Sequence, residues 1–124
     1  SKETSIVDFE LVKVDDKNVV FTMSNTSDYE VNYGNMGKAC LQIKTGEDWV
    51  DCTFRDGASL AVTDEALILE KGTSSENTYD YNYYYGKLKP GEYRLKFTDM
   101  FYVDSLNPSF ETRGITILLE FVVK

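Results

Sequence analysis

Hydrophobic residues alternate with polar ones along most of the chain, and turn-forming residues interrupt the alternation at short intervals. An alternation with a period of two is typical of strands that bury one face. The pattern predicts about seven to nine short antiparallel strands, and a single helical turn is conceivable only at residues 63–69. The predicted strands lie near residues 5–13, 19–24, 29–33, 39–43, 49–53, 67–69, 79–83, 93–97 and 115–123.

The segment 88–93 carries the most specific local signal. Pro90 and Gly91 form a turn, and Tyr93 begins the strand that follows. In Greek-key sandwiches a tyrosine at this place folds back to bond the backbone a few residues upstream, which pins the crossover between the sheets. An ordinary core tyrosine after a Pro-Gly turn is the alternative. Because alternating strands lie on both sides, we predict an all-β, immunoglobulin-like Greek-key β-sandwich with a tyrosine corner.

Length and charge narrow the class of protein further. A chain of 124 residues with 42% hydrophobic residues fits one domain, spanning 1–124, with a single core. The net charge of −8 disfavours nucleic acid and anionic membrane surfaces, because both attract basic patches. No apolar run approaches the roughly 18 residues of a membrane span. The chain starts without Met, which leaves a removed leader and a trimmed segment both open.

Three stretches of the sequence carry a resemblance: residues 23–27 with Tyr33-Gly34, residues 41–44 leading to Trp49, and residues 85–95 closed by Glu120-Phe121. They resemble a known family, the bacterial immunoglobulin-like domains of secreted proteins and lipoproteins, mainly from Gram-positive bacteria. The third stretch, with its Tyr-Gly-x-Leu-x-Pro-Gly-x-Tyr-Arg motif, is the most specific. The resemblance implies an accessory module that is secreted or surface-anchored, has no activity general to the family, and depends on Trp49, Pro90, Gly91 and Tyr93 for its fold.

Cys40 and Cys52 lie on the two arms of a predicted hairpin. If its turn is centred on Gly46, the cysteines face each other. The Cβ atoms of such a pair lie about 4.5–5.5 Å apart, and twist can bring them to the roughly 3.5–4.5 Å of a disulfide. We predict a disulfide on the outer face, away from Trp49, worth roughly 3 kcal/mol and indicating an oxidising compartment. Two free thiols are the alternative, while a redox pair lacks Cys-x-x-Cys spacing and zinc needs more ligands.

Tyr79, Tyr81, Tyr83 and Tyr85 would share one side of a strand. Aromatic rows stack on sugar rings and contact proteins, so the first three are candidate partner contacts. The alternative is that this side of the strand belongs to the core. Together with Trp49, an exposed row would make the aromatic platform of a carbohydrate-binding module.

Residues 99–114 are long for a connection between two strands. If they form a loop, the apolar side chains of Phe101, Tyr102 and Phe110 should pack on a partner and are candidate contacts. The alternative is that both strands extend and residues 104–109 form the turn.

Residues suited to catalysis are sparse. The chain has no histidine, which removes the commonest general base and metal ligand. No serine or cysteine therefore has a histidine to activate it as a nucleophile. Aspartates at turns lack the spacing of a calcium loop, and Asn25-Thr26-Ser27 fits a glycosylation sequon that turn chemistry explains equally well. We expect no enzyme activity, no cofactor and no metal.

The sequence thus predicts a non-catalytic extracellular interaction or spacer module of a secreted or surface-anchored bacterial protein. Its partner would be a protein or a cell-surface glycan, and this segment would not insert into a membrane. A carbohydrate-binding module is the alternative. A glycosidase with a carboxylate pair and a protease inhibitor acting through residues 99–114 are further hypotheses.

Overall fold

The computed structural model describes residues 6–58, 65–105 and 108–124. These residues form eleven antiparallel strands, one α-helix, α1 (Tyr81–Tyr85), and a 3₁₀ turn at Met36–Lys38. The strands are β1 (Val7–Val14), β2 (Asn18–Asn25), β3 (Val31–Tyr33), β4 (Cys40–Thr45), β5 (Asp48–Asp51), β6 (Leu67–Leu69), β7 (Ser74–Asp80), β8 (Gly91–Phe97), β9 (Met100–Asp104), β10 (Glu111–Gly114) and β11 (Ile117–Val123).

Two of the sheets form a sandwich. One has the order β1-β2-β7 and the other β11-β8-β4-β5, and the chain crosses between them after β2, β5 and β7. Their inner faces share one hydrophobic core, in which each fully buried aliphatic or aromatic side chain contributes about 1.5–3 kcal/mol. The predicted all-β sandwich is confirmed. Side chains at the centre of the core include Phe21, Met23, Leu41, Leu95, Phe97 and Ile117.

Tyr93 locks one of the crossovers. It is buried in β8, and its hydroxyl donates a hydrogen bond of 2.7 Å to the carbonyl oxygen of Lys89. Its ring stacks on Phe121 of the neighbouring strand with the centroids 5.9 Å apart. Pro90 bends the chain directly before Gly91 opens β8. The predicted tyrosine corner is therefore confirmed, with Pro90 and Gly91 at its turn.

The strand predicted over residues 79–83 is wrong. The strand at this place is β7, which ends at Asp80, and the tyrosines that follow wind into α1. The Asp80 carboxylate accepts a hydrogen bond of 3.1 Å from the Tyr83 amide, as an N-cap does. Gly86 ends the helix at a φ of 74°, and its amide bonds to the Asn82 carbonyl. Because Asp80 and Gly86 cap a helix here, the alternating tyrosines do not continue the strand.

The register predicted for the β4–β5 hairpin is also wrong. Thr45 pairs with Asp48, so Gly46 and Glu47 form a two-residue turn instead of a turn centred on Gly46. The φ of 65° at Gly46 fits a type II′ turn, which places glycine at its first central position. Because side chains alternate between faces, a shift of one residue moves Trp49 to the outer face, opposite Lys44.

A third sheet, which we call the end sheet, has the order β10-β9-β3-β6. Its strands come from the three connections that follow β2, β5 and β8, all of which lie at one end of the sandwich. The described residues of 99–114 thus contain two strands, β9 and β10, and not one long loop. The alternative prediction was right that strands form here, but β9 and β10 belong to the end sheet and do not extend β8 and β11. Of the stretch 63–69, residues 67–69 form β6 instead of a helical turn, and residues 63–64 lie outside the described part.

Candidate functional site

The outer face of the end sheet carries an uncovered apolar row. Asn32 of β3 pairs with Ile68 on one side and with Phe101 on the other, and Phe101 pairs with Gly114. Since Gly114 has no side chain, the Phe101 ring has no cross-strand neighbour on that side. Val103 lies two residues further along the same face. Ile68, Phe101 and Val103 are 53%, 39% and 38% exposed.

The inner face of the end sheet packs into the molecule. Four of its side chains are buried, and Tyr102 is half-buried beneath the sheet. The ring of Tyr29 lies 4.7 Å from that of Tyr102. This face gives the sheet a fixed position on the sandwich. The buried side chains are Val31, Tyr33, Leu69 and Met100.

Polar contacts brace the free edge of the end sheet. Asp104 accepts a hydrogen bond from the Tyr29 hydroxyl at 3.0 Å and one from the Arg113 guanidinium at 3.1 Å. The hydrogen bond to Asp104 raises the pKa of Tyr29. Arg113 also reaches Glu111 at 2.8 Å. Strands β9 and β10 are therefore joined by side chains as well as by backbone bonds.

The candidate contacts of residues 99–114 divide between the two faces. Phe101 projects outward, and Phe110, directly before β10, is 62% exposed. Tyr102 does not offer its ring as a contact, because it faces inward and packs on Tyr29. Phe101 and Tyr102 take opposite faces because side chains alternate along a strand. An interpretation of this segment as a loop could not predict which ring faces outward.

The tyrosine run does not form a platform. Tyr79 and Tyr81 are buried, so neither ring can stack on a ligand, and the prediction of these two as partner contacts is corrected. Tyr79 donates its hydroxyl to the Ala39 carbonyl at 3.2 Å. Tyr83 is 43% exposed, with the Arg55 guanidinium 5.4 Å from its ring centroid. Asp80 and Gly86 were the signals in the sequence that a helix interrupts the row.

Trp49 lies on the outer face of the sheet that contains β4 and β8, not in the core as the predicted parity required. The Arg94 guanidinium lies 4.5 Å from its ring centroid. Arg94 donates to Gln42 at 2.7 Å, and Gln42 donates to Asp51 at 2.8 Å. The arrangement is an indole with a guanidinium over its ring, continued by a hydrogen-bonded row of polar side chains.

Cys40 and Cys52 are free thiols, and the predicted disulfide is not formed. The Cys52 amide bonds to the Leu41 carbonyl at 2.9 Å, which places Cys52 opposite Leu41 and not opposite Cys40. Neighbouring residues of a strand point to opposite faces, so Cys40 and Leu41 point in opposite directions. Because Cys52 lies opposite Leu41 and shares its face, the two sulfur atoms are directed apart. Burial raises the pKa of both thiols, that of Cys52 to about 11. Neither thiol is activated as a nucleophile.

Asn25 has a structural role. It is buried, and its amide nitrogen donates to the carbonyl oxygens of Tyr29 and Leu69 at 2.7 and 2.9 Å. Its side-chain oxygen accepts from Ser27, closing the turn after β2. A nitrogen in this position is not accessible for glycosylation, so turn chemistry explains the sequon.

The acidic residues do not gather into a metal site within residues 6–58, 65–105 and 108–124, where no group of three or more Cys, Asp or Glu side chains could hold an ion. The described helices are all too short or too polar to span a bilayer.

A comparison with family models finds the bacterial Ig-like domain over residues 6–101, which covers β1 to β8 and the beginning of β9. A search among curated proteins finds no significant match. The matched region contains eight of the strands just described, β1 to β8, and the corner at Tyr93. Sandwich, corner and family model agree, and the chain therefore belongs to the bacterial Ig-like domain family.

Proposed function

We propose that the chain is a non-catalytic interaction module of an extracellular or surface-anchored protein, and that it contacts a protein partner through the end sheet. The observation that carries the proposal is the uncovered row of Ile68, Asn32 and Phe101 beside Gly114. Contiguous apolar patches that stay exposed on soluble domains often mark binding sites, and Phe101 and Val103 lie on one face of one strand here. The connections at the ends of such sandwiches are also the usual place for binding residues.

The rigidity of the end sheet favours binding. Its inner face is buried, and Tyr29, Asp104 and Arg113 brace its edge. A surface that is already ordered loses little conformational entropy when a partner docks, so more of the contact energy appears as affinity. A mobile loop with the same side chains would bind more weakly.

The thiols and the buried phenols support a non-catalytic role. The sequence has no histidine, and burial raises the pKa values of both thiols and of the Tyr79 and Tyr85 phenols. These groups stay protonated at neutral pH, when a nucleophile or general base would have to be deprotonated.

Site-specific photo-crosslinking tests the contact face. Benzoylphenylalanine would replace Phe101 in one version of the domain and Val122 of β11 in the control, since Val122 is an exposed strand residue outside the end sheet. Both versions would be irradiated with envelope and culture-medium fractions of the bacterium that encodes the protein. We expect crosslinked products from the Phe101 version alone. Equal products from both positions would place the contact elsewhere, and none from either would indicate a spacer.

Carbohydrate binding is the second candidate, and Trp49 is the observation that favours it. The indole lies on an outer sheet face beside Arg94, Gln42 and Asp51, and sugar sites combine an aromatic surface with a few polar groups. The tyrosine row no longer contributes to it. A glycan array with the native domain and Trp49→Ala tests the candidate, together with the fluorescence of this sole tryptophan. Binding that survives Trp49→Ala would argue against the site, as would an array without signal.

A further inference from the structure

We infer that the partner of the end sheet is a protein surface with an apolar centre and a basic rim. The inference rests on the proposed contact face and adds the chemical class of its partner. Phe101, Val103 and Ile68 supply the apolar centre on this side. The class of partner follows from the charges around them.

The rim of the end sheet is acidic. Glu30 directly precedes β3, Glu70 directly follows β6, and Glu111 begins β10. All three are exposed. Among the described residues, the carboxylates on or beside the four strands are those of Asp28, Glu30, Glu65, Glu70, Asp99, Asp104 and Glu111.

Basic side chains do not balance this rim. Arg113 binds Asp104 and Glu111 together, so one guanidinium meets two carboxylates and the group keeps a net negative charge. Lys71 is the basic residue next to Glu70, and Lys38 pairs with Asp99 at 3.2 Å. The field that an approaching molecule meets at this end is therefore negative.

The same charge disfavours a second copy of the chain as the occupant. Two end sheets docked face to face would bring like-charged rims together on molecules that each carry a net charge of −8. Juxtaposed like charges oppose association, whereas Lys and Arg on the opposing surface would steer it. Burial of the apolar centre would supply the affinity, and the acidic rim would determine the specificity for basic partners.

A random dodecapeptide library presented by mRNA display tests the inference without a known partner. The library would be selected on the native domain, and the enriched peptides would then be measured against Phe101→Ser and Val103→Ser. Val122→Ser is the matched control, because it makes the same change at an exposed strand valine away from the end sheet. We expect peptides that lose binding to the two end-sheet variants but not to the control, and that combine Lys or Arg with apolar residues.

Removing the rim charges tests the electrostatic part. Glu30→Gln/Glu70→Gln should weaken these peptides about threefold at low salt, and the difference should shrink in 0.5 M NaCl because salt screens exposed charges. Glu111 is left unchanged, because its ion pair with Arg113 braces the edge of the sheet. A variant with Glu→Gln at Glu10 and Glu76, which are exposed on the sandwich, makes the same change in net charge. It should bind as the native domain does.

The outcomes separate the two proposals. Peptides that depend on Phe101 but are neutral or acidic would overturn the basic partner and leave the contact face standing. Peptides indifferent to both Phe101→Ser and Val103→Ser would overturn the contact face and the partner class with it. Equal weakening by the rim and control variants would reduce the charge effect to net charge alone and would contradict the role of the rim. Self-association that Phe101→Ser abolishes, seen by analytical ultracentrifugation, would replace the basic partner with a second copy.

Discussion

Gly34 lies against Asp99 so closely that a Cβ atom at residue 34 would overlap the Asp99 carboxylate. The Gly34 amide also donates to the Asp99 carbonyl at 3.0 Å. This contact joins the end of β3 to the turn between β8 and β9. Strand β8 belongs to the sandwich, and β9 belongs to the end sheet. The absence of a side chain at residue 34 therefore fixes how the end sheet sits on the core.

Gly34→Ala tests this contact. The new methyl group would push the Asp99 side chain away and break its 3.2 Å ion pair with Lys38. We expect a loss of about 1–2 kcal/mol in the free energy of unfolding, measured by urea denaturation. In an Asp99→Ala background the obstacle is gone, so the same substitution should cost much less. Equal costs in the two backgrounds would show that the packing against Asp99 is unimportant.

The tyrosine corner yields a second prediction. Tyr93→Phe removes the hydroxyl that bonds the Lys89 carbonyl and keeps the buried ring. A loss of about 1 kcal/mol in unfolding free energy is expected, since a typical buried hydrogen bond contributes about 0.5–1.5 kcal/mol. Tyr83→Phe, at an exposed phenol, is the control and should change stability by less than about 0.5 kcal/mol. If the two variants lose the same amount, the corner does not stabilise the crossover.

The corner was predictable from sequence because its signal is local. A Pro-Gly turn and a tyrosine two residues later specify it without knowledge of distant contacts. The alternation of buried and exposed residues in β8 and β11 is equally local, since each strand buries one face in the core. β7 carried no such signal, because it is a polar strand in which Tyr79 is the one fully buried residue. Its position depends on pairing with β2, which lies far away in sequence.

The end sheet could not be predicted as a unit. β3, β6 and β9 come from separate connections, and their pairing depends on contacts that no single stretch encodes. The sequence did identify Phe101 and Phe110 as exposed candidates. It could not separate them from Tyr102, because the face that each residue takes follows from the register of β9 on β3. The hairpin error had the same origin, since one residue in the turn decided the faces of Trp49 and Cys52.

A third prediction concerns the end of α1. Gly86 has φ 74° and ψ −157°, a backbone region that is almost closed to residues with a side chain. Gly86→Ala should therefore lower the unfolding free energy by about 1–3 kcal/mol, as measured by urea denaturation. Gly114→Ala is the matched control, because its backbone φ is not positive and a Cβ atom there meets nothing within 4 Å. A Gly86→Ala variant as stable as Gly114→Ala would contradict the assigned helix end.

Cys52 links stability to alkaline pH. Burial raises its pKa to about 11 in the folded chain, whereas an unfolded cysteine titrates near 8.5. As the pH rises, the unfolded chain releases this proton first, which favours unfolding. The stabilising contribution is therefore complete below pH about 8.5 and is lost as the pH rises towards 11. The pKa of the buried Tyr79 phenol is raised too, so it acts in the same direction at higher pH.

Urea denaturation at intervals from pH 7 to 10.5 measures this loss. Cys52→Ala should be less stable than the native chain at pH 7, because it removes a partly buried side chain that packs on the core. Its stability should nevertheless fall less steeply above pH 8.5, so the two curves converge as the pH rises. Cys40→Ala, which leaves Cys52 in place, should retain most of the native slope. Parallel curves for Cys52→Ala and the native chain would mean that this thiol ionises alike in the folded and unfolded states, and its burial could not then be the origin of the alkaline loss.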